Sequence, residues 1–388
     1  MHNKDNIIPY GRHEITQDDI DAVVNTLKSE FLTQGPKIEE FEIEFAKYIG
    51  VKYAIAVSNG TAALHLSGLA LGIKKGSKVI TSPLSFVATS NSVLYCGGEI
   101  DFCDINPNTL CLDIDLVNKK LKASPKGTYS GIIPIDFAGY PVKMDEFKSL
   151  AEEHGLWLLE DSCHAPGAMF HDSNGNFQNC GNGQFADLAI FSFHPVKHIS
   201  CGEGGIITTN NRKLYQKILS LRSHGITKDK NLLQENHGRW YYEMNELGYN
   251  YRMSDINASL GLSQLSRAKD NLLKRRLIAK KYDEAFKDLE WIKPVVSVEG
   301  HAYHLYVIKT EKRKELYDFL RKENIFSQVH YIPIHLHPFY KSFGWKSGDF
   351  PITEDYYEKC LSIPIYPTLE RNQQSFIIEK IKSFNPLI

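Results

Sequence analysis

Cysteine is scarce in this sequence. The seven present, at 96, 103, 111, 163, 180, 201 and 360, are odd in number and follow no framework spacing. In a chain of 388 residues that argues against a disulfide scaffold and fits reduced thiols in a cytoplasmic protein. Long apolar runs are missing too, and no stretch approaches the ~18 to 20 residues needed to span a bilayer. Segment 1–30 lacks the apolar run of a signal peptide. Nor is there an excess of either charge, since 45 Lys and Arg face 46 Asp and Glu. A duplex-coating protein or a polybasic membrane binder would carry a basic surplus, so neither nucleic acid nor a membrane is expected as a partner. There is no repeat at a fixed period and no low-complexity linker.

What remains is a globular composition, 42% hydrophobic and 23% charged, over a length that suggests two domains at ~150 residues each. Thr16 is a candidate N-cap, and Pro36 opens a helix with Ile38, Phe41, Phe45 and Tyr48 on one face. Short β-rich runs then alternate with helical stretches. The runs are Tyr53 to Val57, Val79 to Ser82, Ile100 to Cys103, Gly131 to Ile135, Trp157 to Leu159 and Leu188 to Phe193. This alternation predicts an α/β large domain, 1–253, with a mostly parallel sheet covered on both faces. Beyond it, a long helix from Ser254 toward Leu289 leads into strand-like runs at His304 to Ile308 and Phe326 to Tyr331. Helices follow at Lys312 to Lys322 and from Arg371. That part, 254–388, reads as a smaller α+β domain.

Ligands in open α/β sheets bind outside the carboxyl ends of the strands. After Tyr53 to Val57 comes Ser58-Asn59-Gly60-Thr61-Ala62-Ala63-Leu64, a helix start whose N–H groups and Thr61 hydroxyl could cradle a phosphate. A plain capped helix would look the same. After Trp157 to Leu159 comes Glu160-Asp161-Ser162-Cys163-His164, where a buried acid would need a partner. A helix cap, or a metal set with Cys163 and His164, competes with that reading. After Leu188 to Phe193 comes Ser192-Phe193-His194-Pro195-Val196-Lys197, then Gly202 to Gly205. A lysine crowded between a proline loop and glycines loses solvation, which favours Schiff-base chemistry. A surface lysine, or a zinc site from His194, His198 and Cys201, is the alternative. Taken together, an anion cradle, a carboxylate and an amine meet the needs of pyridoxal 5'-phosphate.

With Gly248-Tyr249-Asn250-Tyr251-Arg252 added, these segments resemble the nucleotide-sugar aminotransferases of the DegT/DnrJ/EryC type, in fold type I of the pyridoxal phosphate enzymes. The resemblance covers nearly the whole chain. Phe31-Leu32-Thr33-Gln34-Gly35, Ser85-Phe86-Val87-Ala88-Thr89 and Gln328-Val329-His330-Tyr331 are similar to the C4 aminotransferases of pseudaminic acid pathways. The resemblance implies that Lys197 forms the Schiff base and shuttles protons, and that Asp161 pairs with the pyridine nitrogen. It implies that Gly60, Thr61 and Ser192 hold the phosphate, that Phe86 stacks on the ring, and that His164 lies near the phenolic oxygen. Asn250 would reach the phosphate from a second subunit of a homodimer. Tyr10, Phe31, Thr33, His330 and Tyr331 would contact a UDP-sugar. The implied reaction moves an amino group from glutamate to the C4 ketone of a UDP-linked deoxyhexose, with pyridoxamine phosphate as intermediate and no metal. Two positions depart from the common pattern: His164 stands where glutamine is usual, and Ser200-Cys201 where a Thr-Thr pair is. A sugar dehydratase on this scaffold would carry histidine in place of Lys197. An idle sugar-binding sensor would be expected to lose Asp161 or Lys197.

Overall fold

The computed structural model describes residues 7–235 and 237–384. Its main sheet has seven strands. In chain order they are β1 (Tyr53–Val57), β2 (Lys78–Thr81), β3 (Glu99–Phe102), β4 (Gly131–Ile133), β5 (Trp157–Asp161), β6 (Leu188–Ser192) and β7 (Gly205–Thr209). In space the order is β1-β7-β6-β5-β4-β2-β3. The β6-β5-β4-β2-β3 pairings are parallel, and only β7 runs antiparallel, to both β1 and β6. Sequences such as Leu188-Ala189-Ile190-Phe191 are buried along their whole length, because helices cover both faces of the sheet.

Three helices set up the site side of this sheet. α1 (Gln17–Leu27) begins at Thr16, whose N–H donates to the Asp19 carboxylate at 2.9 Å. α2 (Pro36–Ile49) starts with proline and ends at Gly50, which adopts φ 82°, a left-handed cap that favours glycine. α3 (Gly60–Ala70) is buried over most of its circumference, from Ala62 through Gly68. A helix apolar all round belongs in the core, and α3 packs against β6, β7 and the helix Arg212–Arg222.

The second unit contains a three-stranded antiparallel sheet of β8 (Lys293–Pro294), β9 (Tyr306–Lys309) and β10 (Cys360–Ile363). The long helix expected from Ser254 is two helices, α4 (Asp255–Ser266) and α5 (Ala268–Phe286). They break at Arg267, whose guanidinium reaches Asp19 on α1 and the Glu14 carbonyl. The run Phe326 to Tyr331 is a strand only at Ile325–Phe326, paired in parallel with Ile8–Pro9. Chain segments thus cross the expected boundary near residue 254 in both directions, since Ile8–Pro9 joins the C-terminal part and α4 packs on α1 and α2. No helix among the described residues is long and apolar enough to cross a membrane.

Candidate active site

A cavity of about 670 Å³ opens at the carboxyl ends of β1, β2, β5 and β6. It is built by close approach of backbone. Gly205, at the start of β7, pairs with Val57 on one side and Ser192 on the other. A Cβ there would stand 2.5 Å from the Asn59 carbonyl oxygen, so only glycine lets the chain leaving β1 pass over β7. Gly60 is equally tight, as its Cβ would lie 3.0 Å from the Ser192 Cβ. The start of α3 is thereby pressed beside Ser192.

Asn59 caps α3, its side-chain oxygen accepting the Ala62 N–H at 2.8 Å, and its carbonyl accepts the Ala63 N–H at 3.1 Å. The N–H groups of Gly60 and Thr61 have no acceptor among the described residues, and both residues line the cavity. Open N–H groups at the positive end of a helix dipole suit an anion such as a phosphate.

Asp161 ends β5 and is 5% exposed. One carboxylate oxygen accepts the Thr89 hydroxyl at 2.7 Å, and the other accepts the Cys163 N–H at 3.2 Å. Thr89 is held in turn by Ser85, at 3.0 Å. Lys197 faces this acid from the loop after β6. It is half-buried at the cavity wall, and burial pushes its amine below the usual lysine range, against the pull of Asp161. Depression of this kind is what an amine nucleophile needs near neutral pH. Burial also raises the Cys163 thiol, with Asp161 adding to the effect, so that side chain stays protonated.

His164 Nδ1 accepts the Ala138 N–H at 3.2 Å, and its Nε2 lies 3.4 Å from the Tyr331 hydroxyl. Burial, then Lys197, His330 and His198, hold this imidazole well below its usual pKa. His330 bonds Ser362 at 2.9 Å and is pushed down to about 3, by burial first and Lys197 second. The Tyr10 ring packs 5.1 Å from His330, and Phe86, 58% exposed, leans on Tyr331 at 6.2 Å.

The structure therefore brings Tyr10, Gly60, Thr61, Phe86, Asp161, His164, Ser192, Lys197, His330 and Tyr331 to one cavity. Phe31 and Thr33 lie elsewhere, Phe31 at a separate groove beside α1 and α4, and Asn250 is exposed outside the cavity. Residues that sequence reasoning left without a role also line it, among them Thr89, His65, Tyr251 and Glu203. Thr89 had a signal in the Ser85-x-x-x-Thr89 spacing, but its partner on β5 is visible only in the fold. His194, His198 and Cys201 do not converge. Among the described residues the group whose potential ligand atoms do is Asp136, Glu160 and Cys180, behind β5.

The profile of the DegT/DnrJ/EryC1/StrS aminotransferase family matches residues 13–382. The chain belongs to this family. It is a pyridoxal 5'-phosphate-dependent sugar aminotransferase of the α/β class. Spore coat polysaccharide biosynthesis protein SpsC of Bacillus subtilis is 38% identical, with 98% of each chain covered. UDP-4-amino-4,6-dideoxy-N-acetyl-beta-L-altrosamine transaminase of Campylobacter jejuni is 37% identical, covering 97% of this chain and 99% of its own. Among solved structures, Helicobacter pylori PseC, an aminotransferase involved in the biosynthesis of pseudoaminic acid, superposes with a TM-score of 0.87. Its identity is 29%, over 98% of this chain and 100% of PseC. The PLP-form of Spr1654 from Streptococcus pneumoniae has a TM-score of 0.87 at 28% identity, over 98% and 100% of the two chains.

Proposed function

We propose that the protein transfers an amino group from glutamate to the C4 ketone of a UDP-linked 4-keto-6-deoxy-N-acetylhexosamine, in the biosynthesis of pseudaminic acid or a related surface glycan. The observation that carries the reading is the meeting of Lys197, Asp161 and the open N–H groups of Gly60 and Thr61 in one cavity. The names of the Campylobacter and Bacillus relatives support the sugar assignment.

The residues present fit pyridoxal 5'-phosphate. The start of α3 and Ser192 offer a phosphate cradle, Asp161 offers a carboxylate held from two sides, and Lys197 offers a desolvated amine. When bound, the cofactor supplies the electron sink that makes the donor's Cα–H acidic. Asp161, with its oxygens fixed by Thr89 and Cys163, would hold the ring nitrogen protonated. Lys197 would anchor the cofactor, yield to the incoming amine, and then carry the proton on Nζ between donor and cofactor. Tyr10, His330 and Tyr331 form the wall on which the sugar would lie, with Phe86 at the rim. We further propose that Asn250, Phe31 and Thr33 serve a site completed by a second copy of the chain, since they lie outside the cavity of their own.

Turnover of UDP-linked and dTDP-linked 4-keto-sugars with glutamate tests this reading. The expected result is ping-pong kinetics with a UDP-keto-sugar, and loss of turnover in Lys197→Ala. Transamination retained by that variant would overturn the role of Lys197. No turnover of any UDP-linked keto-sugar would overturn the substrate.

A further inference from the structure

The cavity wall formed by His330 and Tyr331 sits on a stretch of chain with little backbone support. Gln328 exchanges two backbone hydrogen bonds with Ser362 on β10, at 3.0 and 2.7 Å, and the Ile334 N–H donates to the Pro83 carbonyl at 2.9 Å. Between those anchors the backbone of 329–332 bonds to no other backbone group among the described residues. Side chains must therefore locate it. The Tyr356 hydroxyl donates to the His330 carbonyl at 2.9 Å, and Ser362 Oγ lies 2.9 Å from His330 Nδ1. The Cys360 thiol, 3.9 Å from the same carbonyl, is a much weaker donor. Tyr356 is buried and meets the Phe137 ring edge-on at 6.0 Å, and Phe137 meets Tyr331 in the same way at 6.2 Å. One tyrosine thus supports the His330 carbonyl directly and the Tyr331 ring through Phe137.

Tyr356 belongs to α6 (Pro351–Lys359), a helix that cannot cap itself. The preceding residue, Phe350, has no side-chain oxygen, and Pro351 has no N–H. The N–H groups of Ile352 and Thr353 both donate to the Asp104 carboxylate at 2.9 Å, and the Thr353 hydroxyl donates to it at 2.6 Å. Asp104 is buried two residues beyond β3, the edge strand of the main sheet, and also accepts the Ile105 N–H at 2.9 Å. A carboxylate suits a helix N-terminus through both the dipole and charge-assisted bonds. Here the cap is supplied from 249 positions away in sequence. Thr353 and Tyr356 are the buried residues of α6 and stand three apart, on one face. The sheet edge and the cavity wall are therefore joined through a single turn of helix.

We propose that Tyr356 is a positioning residue for the substrate wall, acting through the His330 carbonyl. Asp104 ties α6, and with it the wall, to the sheet whose strands lead to Asp161 and Lys197. A wall tied in this way keeps its distance from the reacting groups, which a small misplacement would cost in binding and rate. That a UDP-linked keto-sugar lies on the wall rests on the function proposed above, whereas the brace stands on the protein alone.

NMR of the full chain with pyridoxal 5'-phosphate bound tests the brace without any sugar. Labelling histidine at its carbonyl carbon and tyrosine at its nitrogen isolates one peptide group, because His-Tyr occurs once in the sequence, at 330 and 331. Tyr356→Phe, which removes a single oxygen, should shift and broaden that signal, and an identical signal overturns the brace. Kinetics with glutamate and a UDP-linked keto-sugar test the positioning role. Tyr356→Phe should raise KM for the sugar about fivefold, with kcat within about twofold and the glutamate half-reaction unchanged. An unchanged KM, or equal slowing of the glutamate half-reaction, overturns that role. Asp104→Ala should have the same effects, and joined to Tyr356→Phe it should add little to either alone, since both act along one path. A fully multiplicative loss overturns the tie through α6. Thr353→Val, which removes only a hydroxyl from the same contact, takes its place in the cycle if Asp104→Ala does not fold. If the unmodified chain turns over no UDP-linked keto-sugar, the proposed function fails and the His330 carbonyl signal still decides the brace.

Discussion

At the scale of the residue, Asp161 and Lys197, which the fold brings to one cavity, stand out in the sequence because their surroundings are unusual in one dimension. An acid ending an apolar strand and a lysine between proline and glycines both need explanation. The residues that support them were not legible, because their partners are far away in sequence. Thr89 meets Asp161 across two strands, and Ala138 meets His164 through a turn. Asp161 also yields a direct test. If its carboxylate keeps the cofactor nitrogen protonated, Asp161→Ala should lower kcat by several orders of magnitude, with an unchanged unfolding midpoint in the cofactor-free protein. Asp161→Glu should recover part of that loss. A cost within about tenfold, roughly 1.4 kcal/mol of barrier, would instead make Asp161 a local cap for the Cys163 N–H.

At the scale of the element, the parallel strands were readable to within a residue or two, since buried strands are apolar on both faces. The antiparallel β7 was not. Gly202 to Gly205 read as a loop around Lys197, yet Gly205 already belongs to the sheet, pairing with Val57 and Ser192. Its lack of a side chain is a packing requirement of the strand, since the Asn59 carbonyl crosses directly above it. The long helix failed for a similar reason. Periodicity runs through Arg267, where the backbone leaves helical geometry at φ −108°, ψ 10° and the side chain pairs with Asp19. Gly205→Ala is therefore expected to destabilise the chain by about 1–3 kcal/mol, read from urea unfolding. It should also weaken phosphate binding, because the new methyl group lifts α3 away from Ser192. Unchanged stability would mean that the Asn59 crossing is loose.

At the scale of the whole molecule, buried ionisable groups shape the response to pH with two opposite signs. His330 and His301 are held down to about 3 by burial, and His164, His198 and His304 are also lowered. These rings protonate more easily unfolded than folded, so the stability present above about pH 6.5 is lost as pH falls toward 3. Burial acts the other way on Asp136, raised to about 6, and on Glu160, raised further by its neighbour Asp136. Their contribution is full below the usual carboxylate range and declines as pH rises through about 6. Glu160→Gln should therefore raise the thermal midpoint more at about pH 8 than at about pH 5, and equal shifts would show that burial does not raise Glu160 in the folded chain. A second property of the whole molecule is the proposed sharing of sites between two chains. Asn250 lies at the end of a segment that projects Trp240, Met244 and Leu247 into solvent, at 75, 60 and 74% exposure. Such apolar exposure beside a polar amide fits burial against a two-fold partner. Mixing Lys197→Ala chains with Asn250→Asp chains, each inactive alone, separates the alternatives. In a shared arrangement, one of the two sites of the mixed dimer combines the intact lysine of one chain with the intact asparagine of the other, and activity returns. If both residues serve the same chain, each site keeps a defect and the mixture stays inactive.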